Sequence, residues 1–254
     1  MQARCFDLKK ICVWFILALL LSGCSSHSLL PWQQQQGRWV ARHTGEGYTL
    51  EADIPAVNDD IDRINRVRAE QMAQVFVLEV EQRLSELSQE KGDGVWVLRG
   101  EAVGIKGFVD STALIEYAYL PRNAHGSYQI ETTSYRTSDG TKLALRELFA
   151  PQVDVYRELS RLSRWLLIHT GQLGDYADEK WIEAGTAPVP DNFSAYLVRP
   201  EGLEIIFAPY QVGPWALGEQ RITSPWLYLA EYFTPETAKT LGVDGKNSDF
   251  AWEG

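Results

Sequence analysis

The stretch GRWVARHTGEGYTLEADIP, Gly37 to Pro55, holds two β-rich runs either side of a turn at His43 to Gly47, the pattern of a hairpin. From Ile61 the period changes. Ile61, Ile64, Val67, Met72, Val75 and Leu78 recur at spacings near three and four, with Arg and Glu between them. This predicts an amphipathic helix to about Glu90, with these residues as its apolar face. Asn58, Asp59 and Asp60 supply caps and favourable charge at its start, and KGDG (Lys91 to Gly94) ends it. Strand patterns resume at Val95 to Leu98, Phe108 to Leu120 and Ser127 to Thr137, before a turn at Ser138 to Thr141. A second helix is expected from about Val153 to His169, with Tyr156, Leu159, Leu162, Trp165 and Leu166 on one face and Gly171 closing it. Two further strands flank a turn at Arg199 to Gly202. Thr234 before Pro235 opens a short last helix, since proline is tolerated at the first helical position. Strands dominate without βαβ alternation, so the expected class is α+β, with antiparallel sheets and a few packed helices in two intimate subdomains.

The N-terminus carries a different pattern. Arg4, Lys9 and Lys10 precede an apolar run from Ile11 to Leu21. A bilayer span takes about 20 residues; this shorter run suits a secretory leader. Leu21-Ser22-Gly23-Cys24 follows, with small residues before a cut and a thiol just after it, which resembles a bacterial lipobox. Cys24 is therefore the expected lipidation site. Cys5 and Cys12 would leave with the leader, so no disulfide is expected. Dual or triple acylation anchors stably where one chain does not. Ser25 stands where an Asp would resemble an inner-membrane retention signal, so the expected location is the outer membrane, facing the periplasm. The expected division is residues 1–23 signal peptide, 24–37 polar tether, 38–136 N-terminal subdomain and 137–254 C-terminal domain.

Charge narrows the partners. The 254 residues carry a formal net charge of −10; loss of residues 1–23 removes three positive side chains and one negative, leaving about −12. Such a surface repels nucleic acid and anionic headgroups and favours cationic partners. No basic stripe exists, and nucleic-acid binding is excluded.

Catalytic signatures are missing. The four histidines, His27, His43, His125 and His169, show no metal-ligand spacing, and no cofactor motif occurs. Ser88 to Lys91 matches S-x-x-K without its partner motifs. Asp175, Asp178, Glu179 and Glu183 lack the spacing of an EF-hand and read as a solvated acidic face. Carboxylates are too many to nominate a glycosidase pair. No catalytic residue, metal or cofactor is expected.

The candidate binding residues lie in FAPYQVGPWALGEQRITSPW, from Phe207 to Trp226. Tyr210, Trp215 and Glu219 sit among backbone breakers, and His125 sits in the turn RNAHGS. Gly213 and Pro214 predict a bend, with Tyr210 and Trp215 favoured as lids on the core; the alternative is an exposed aromatic platform.

TSDGTKLALRELF, Thr137 to Phe149, followed by a helix and then DNFSAYLVRPEGLEIIFAPYQVGPWALGEQRITSPW, resembles the C-terminal extracellular domain of RsiV-like proteins, with Trp215 at the usual tyrosine position. YTLEADIPAVNDDIDRINRVRAEQM, Tyr48 to Met72, is similar to the companion domain of RsiV and of the deacetylase PdaC. Together they cover roughly residues 45–233. The resemblance implies a wall-facing binding module for lysozyme or another muramidase, or for a peptidoglycan fragment. About ten residues precede the apolar run, too few for a sigma-binding domain, so sigma sequestration is not expected. A carboxylate-based wall enzyme and a structural envelope lipoprotein are the alternatives.

Overall fold

The computed structural model describes residues 28–86 and 92–245. Cys24, the apolar run before it, His27 and the motif at Ser88 to Lys91 lie outside these residues. Strands β1 (Gln33–Gln35), β2 (Arg38–Gly45), β3 (Tyr48–Pro55), β4 (Gly94–Ile105), β5 (Val109–Tyr119) and β6 (Ser127–Arg136) lie in that order in one sheet. A second sheet holds β7 (Tyr196–Arg199), β8 (Gly202–Phe207) and β9 (Gln220–Pro225). The helices are α1 (Asp59–Glu86), α2 (Val155–His169), α3 (Glu179–Gly185), α4 (Trp226–Leu229) and α5 (Pro235–Thr240). The class is α+β. One pairing departs from the expected antiparallel sheets: β3 and β4 run parallel, with Tyr48 opposite Gly94. Helix α1 carries the chain back along the sheet, so β4 starts from the same end as β3.

Helix α1 starts as its sequence predicts. Asn58 Oδ1 accepts from the Ile61 amide at 3.0 Å, and buried Asp62 accepts from Trp39 Nε1 at 2.8 Å and the Val57 amide at 2.7 Å. Its buried face is not the expected one. Ile61 and Met72 are buried, but Ile64, Val67, Val75 and Leu78 are 41% to 52% exposed. The sheet receives Asn65, Ala69, Ala73, Phe76, Val77 and Val80 instead. Ala69 and Ala73 let the helix sit close to the sheet, where Leu50, Ile54, Trp96 and Leu98 complete a close-packed core.

Residues 28–37, read as the end of a polar tether, belong to this unit. Leu30 is buried in its core, and β1 pairs with β2, Gln33 opposite Val40. An edge strand with glutamine on both faces shows no apolar alternation, which is why its sequence reads as a tether.

Glu116 on β5 also faces α1 and accepts from Trp96 Nε1. Burial pushes its carboxyl above the usual range against that hydrogen bond, and the negative charges of Glu131 and Glu79 add to the rise. The folded protein thus holds this proton more tightly than the unfolded chain, which favours folding at low pH. That contribution is lost as pH climbs through the raised value. Glu116→Gln should therefore melt higher than the parent at pH 7, with the gap closing toward pH 4 in a thermal unfolding series.

The second sheet encloses its own core with α2 and α5, built from Leu159, Leu162, Leu166, Ile205, Phe207 and Phe233. Edge strand β7 meets the larger sheet's face opposite α1. Its amides find hydroxyls there: Tyr196 N donates to Thr132 Oγ1 at 3.0 Å and Val198 N to Ser111 Oγ at 3.2 Å. Ala113 packs beside Leu197 and Ile206 at this contact. The side chains of Arg42, Glu51, Asp53 and Arg99, on other strands of that sheet, stay exposed.

Candidate binding groove

Alternation on β4, β5 and β6 places Val97, Arg99, Ile115, Tyr117 and Tyr128 on the open face, because Val97 pairs with Tyr117, Tyr117 with Tyr128 and Arg99 with Ile115. Loop 208–219 walls this face with Leu217, Gly218 and Glu219, leaving a cavity of about 470 Å³. Val97 and Arg99 also line a second cavity of about 630 Å³ over β1 to β4, with Gln33, Arg38, Arg42 and Glu51. The two adjoin at Val97 and Arg99, which line both. Arg38 pairs with Asp53 and Arg42 with Glu51, whereas Arg99, at the join, has no ion pair with another described residue.

The loop is held from behind. Gln211 Nε2 donates to the carbonyls of Gly185 and Asn192, each at 3.0 Å, and Trp181 Nε1 donates to the Tyr210 carbonyl at 2.8 Å. These bonds fix Tyr210 at φ +72°, a left-handed backbone that costs a bulky residue on the order of 1–3 kcal/mol. Tyr210 is 53% exposed, and its hydroxyl lies 3.2 Å from His125 Nε2. His125 Nδ1 lies 2.8 Å from the Gly126 carbonyl. A carbonyl only accepts, so Nδ1 carries the proton and, in the neutral ring, Nε2 accepts from Tyr210.

The His125 ring stacks on Trp215 with centroids 4.6 Å apart. Tyr128 lies 6.3 Å from Trp215 and 5.3 Å from Tyr117, the latter edge-on. Gly126 makes the approach possible, since a Cβ there would meet the Tyr117 ring at 2.3 Å. Glu219 stands at the far end of the loop, its Oε1 accepting from Arg221 Nε at 2.8 Å. Arg221 in turn joins Glu101, Arg199 and Glu204 in one ion-pair network.

The structure thus brings His125, Tyr210 and Trp215 into contact and places Glu219 in the same wall. The bend follows Gly213 and Pro214 as predicted, through a 3-10 turn at Trp215–Leu217. The favoured role of core lids is corrected: Tyr210 is exposed and Trp215 only half-buried, because the strained backbone turns Tyr210 away from the core. Arg99, Tyr117 and Tyr128 escaped the sequence reading. Their signal was alternation, but only the strand register shows that they share a face. Among the described residues, no group of three or more His, Cys, Asp or Glu could hold a metal ion. No helix among them is long and apolar enough to cross a membrane.

A helix-backed mixed sheet capped by a three-stranded one is the fold of solved DUF3298-family proteins. The match to one from Bacteroides fragilis has a TM-score of 0.56 at 12% identity, covering 84% of this chain and 99% of that one. The match to one from Pseudomonas aeruginosa has a TM-score of 0.54 at 14% identity, covering 82% and 96%. The sequence profile of DUF3298, described as a protein of unknown function, matches residues 146–226. The chain is also 32% identical over 107 residues to the peptidoglycan-N-acetylmuramic acid deacetylase PdaC of Bacillus subtilis. That match covers 42% of this chain and 22% of PdaC, so the chain spans about a fifth of the length of the curated relative.

Proposed function

We propose that this chain is a cell-envelope lipoprotein, held to the outer membrane through acylated Cys24 and facing the periplasm, whose open groove binds a peptidoglycan fragment. The observation that carries this reading is the cavity in which the Tyr117 and Tyr128 rings stand with Arg99, which has no ion pair with another described residue, while Tyr128 leads through Trp215 to the exposed His125 and Tyr210 rings. Aromatic faces stack on the C–H faces of sugars, and a free guanidinium grips a carboxylate bidentately. The likeness to PdaC, named for a peptidoglycan substrate, and the RsiV-like motifs support a wall-facing role. In this reading the groove binds without turnover and uses no cofactor.

Calorimetric titration with soluble muropeptides tests it. Trp215→Ala and Arg99→Ala should each weaken binding about tenfold, a loss of about 1.4 kcal/mol. No heat from the parent protein at millimolar ligand would sink the peptidoglycan reading. The net charge of about −12 favours a second reading, capture of a basic muramidase. Lysozyme binding with a salt-sensitive on-rate and no muropeptide binding would select it. Released or modified muropeptides after incubation with sacculi would instead establish an enzyme.

A further inference from the structure

Helix α1 turns an uncharged apolar stripe to solvent. Ile64, Val67, Val75 and Leu78 are 41% to 52% exposed. Their spacing keeps them on one side of the helix with Gln71 and Gln74. At 1.5 Å per residue the stripe runs about 21 Å.

The path of the chain points to what covers it. Ser28, the first described residue, is fastened halfway along α1. Its hydroxyl bonds the Glu70 carboxylate, which also accepts from the amides of Leu29 and Leu30 at 3.1 and 3.0 Å. Ser28, Trp32, Arg63, Val67 and Glu70 line one shallow cleft, so the chain joins the body at the flank of the stripe. Cys24 stands four positions upstream, which is at most about 14 Å of extended chain. Acyl chains on Cys24 would keep the bilayer surface within reach of the whole stripe.

We propose that α1 lies on the bilayer interface, with Ile64, Val67, Val75 and Leu78 set among the lipids. Attachment is then bipartite, through the acyl chains and a helix face. The inference rests on the anchored-lipoprotein reading. The body is net negative, so contact comes from apolar burial and needs no anionic lipid. Interfacial helices bind in this way when an apolar face enters the headgroup boundary.

The test uses the full chain, processed and reconstituted in phosphatidylcholine–phosphatidylethanolamine vesicles, with benzoylphenylalanine at position 71 in the stripe or at position 42 on the opposite sheet face. Irradiation should give lipid adducts from position 71 at least fivefold above those from position 42. Ile64, Val67, Val75 and Leu78, all changed to serine, should lower the position-71 yield at least fivefold while the chain still sediments with vesicles. Equal yields from the two positions, no effect of the serines, or adducts from position 71 to protein alone would overturn the docking while leaving the anchor standing. A chain that fails to sediment with vesicles at all would overturn the anchor and the docking together.

Discussion

Glu204→Ala should lower the stability of the protein by about 3 kcal/mol, the lower end of what removing one member of a buried ion pair costs. For a domain of this size that is roughly 6–12 °C in the thermal midpoint. Glu204 is 7% exposed, and its carboxylate faces Arg199 at 2.8 Å and Arg221 at 3.3 Å. Glu101, on β4, holds the same two guanidinium groups from the larger sheet. The network therefore ties β4 to β7 and β9 across the contact between sheets. Without Glu204, two mostly covered cations share Glu101 and the outlying Glu219. Exchanging charges for apolar groups of similar volume, Arg199→Met with Glu204→Leu, should restore most of the loss. A single-mutant midpoint within 2 °C of the parent would show that water already screens the cluster.

Gly185→Ala should cost about as much, on the order of 3 kcal/mol, at the upper end of what overpacking does. A Cβ at this position would stand 1.8 Å from the Gln211 carbonyl oxygen. Backbone has no rotamer through which to yield, so either the end of α3 or loop 208–219 must move. The loop is held only by side chains such as Gln211 and Trp181, so the displacement should pass to Tyr210 and Trp215. The expected result is a lower thermal midpoint together with loss of the near-ultraviolet signal from the stacked His125 and Trp215 rings. A destabilised variant that keeps that signal would mean the helix yields instead.

Most elements were legible in the sequence because each carries its own local chemistry. The cap at Asn58, Thr234 before Pro235, the face of α2 and the turn at Arg199 to Gly202 depend on neighbours a few residues away. What was not legible depends on distant partners. Helix α1 carries large aliphatics on one side and a mixture of alanine, phenylalanine and valine on the other. Periodicity favoured the larger residues, whereas packing against a sheet favoured close approach through Ala69 and Ala73. The glutamines of β1 gave no signal, because both faces of that edge strand are wet. The parallel step between β3 and β4 follows from where a long helix delivers the chain, which no single window contains. At the candidate site, Tyr210 and Trp215 stood out for their breaker-rich surroundings. Their meeting with His125, 85 and 90 positions away, and the addition of Arg99 depend on sheet register.

Strand β4 divides the molecule's affairs residue by residue. Trp96 and Leu98 belong to the packed interior beneath α1, while Val97 and Arg99 belong to the groove above. Changes at the second pair alter the lining of the groove without loosening what holds the body together. A partition a single strand thick thus lets the outer surface drift while the scaffold stays fixed.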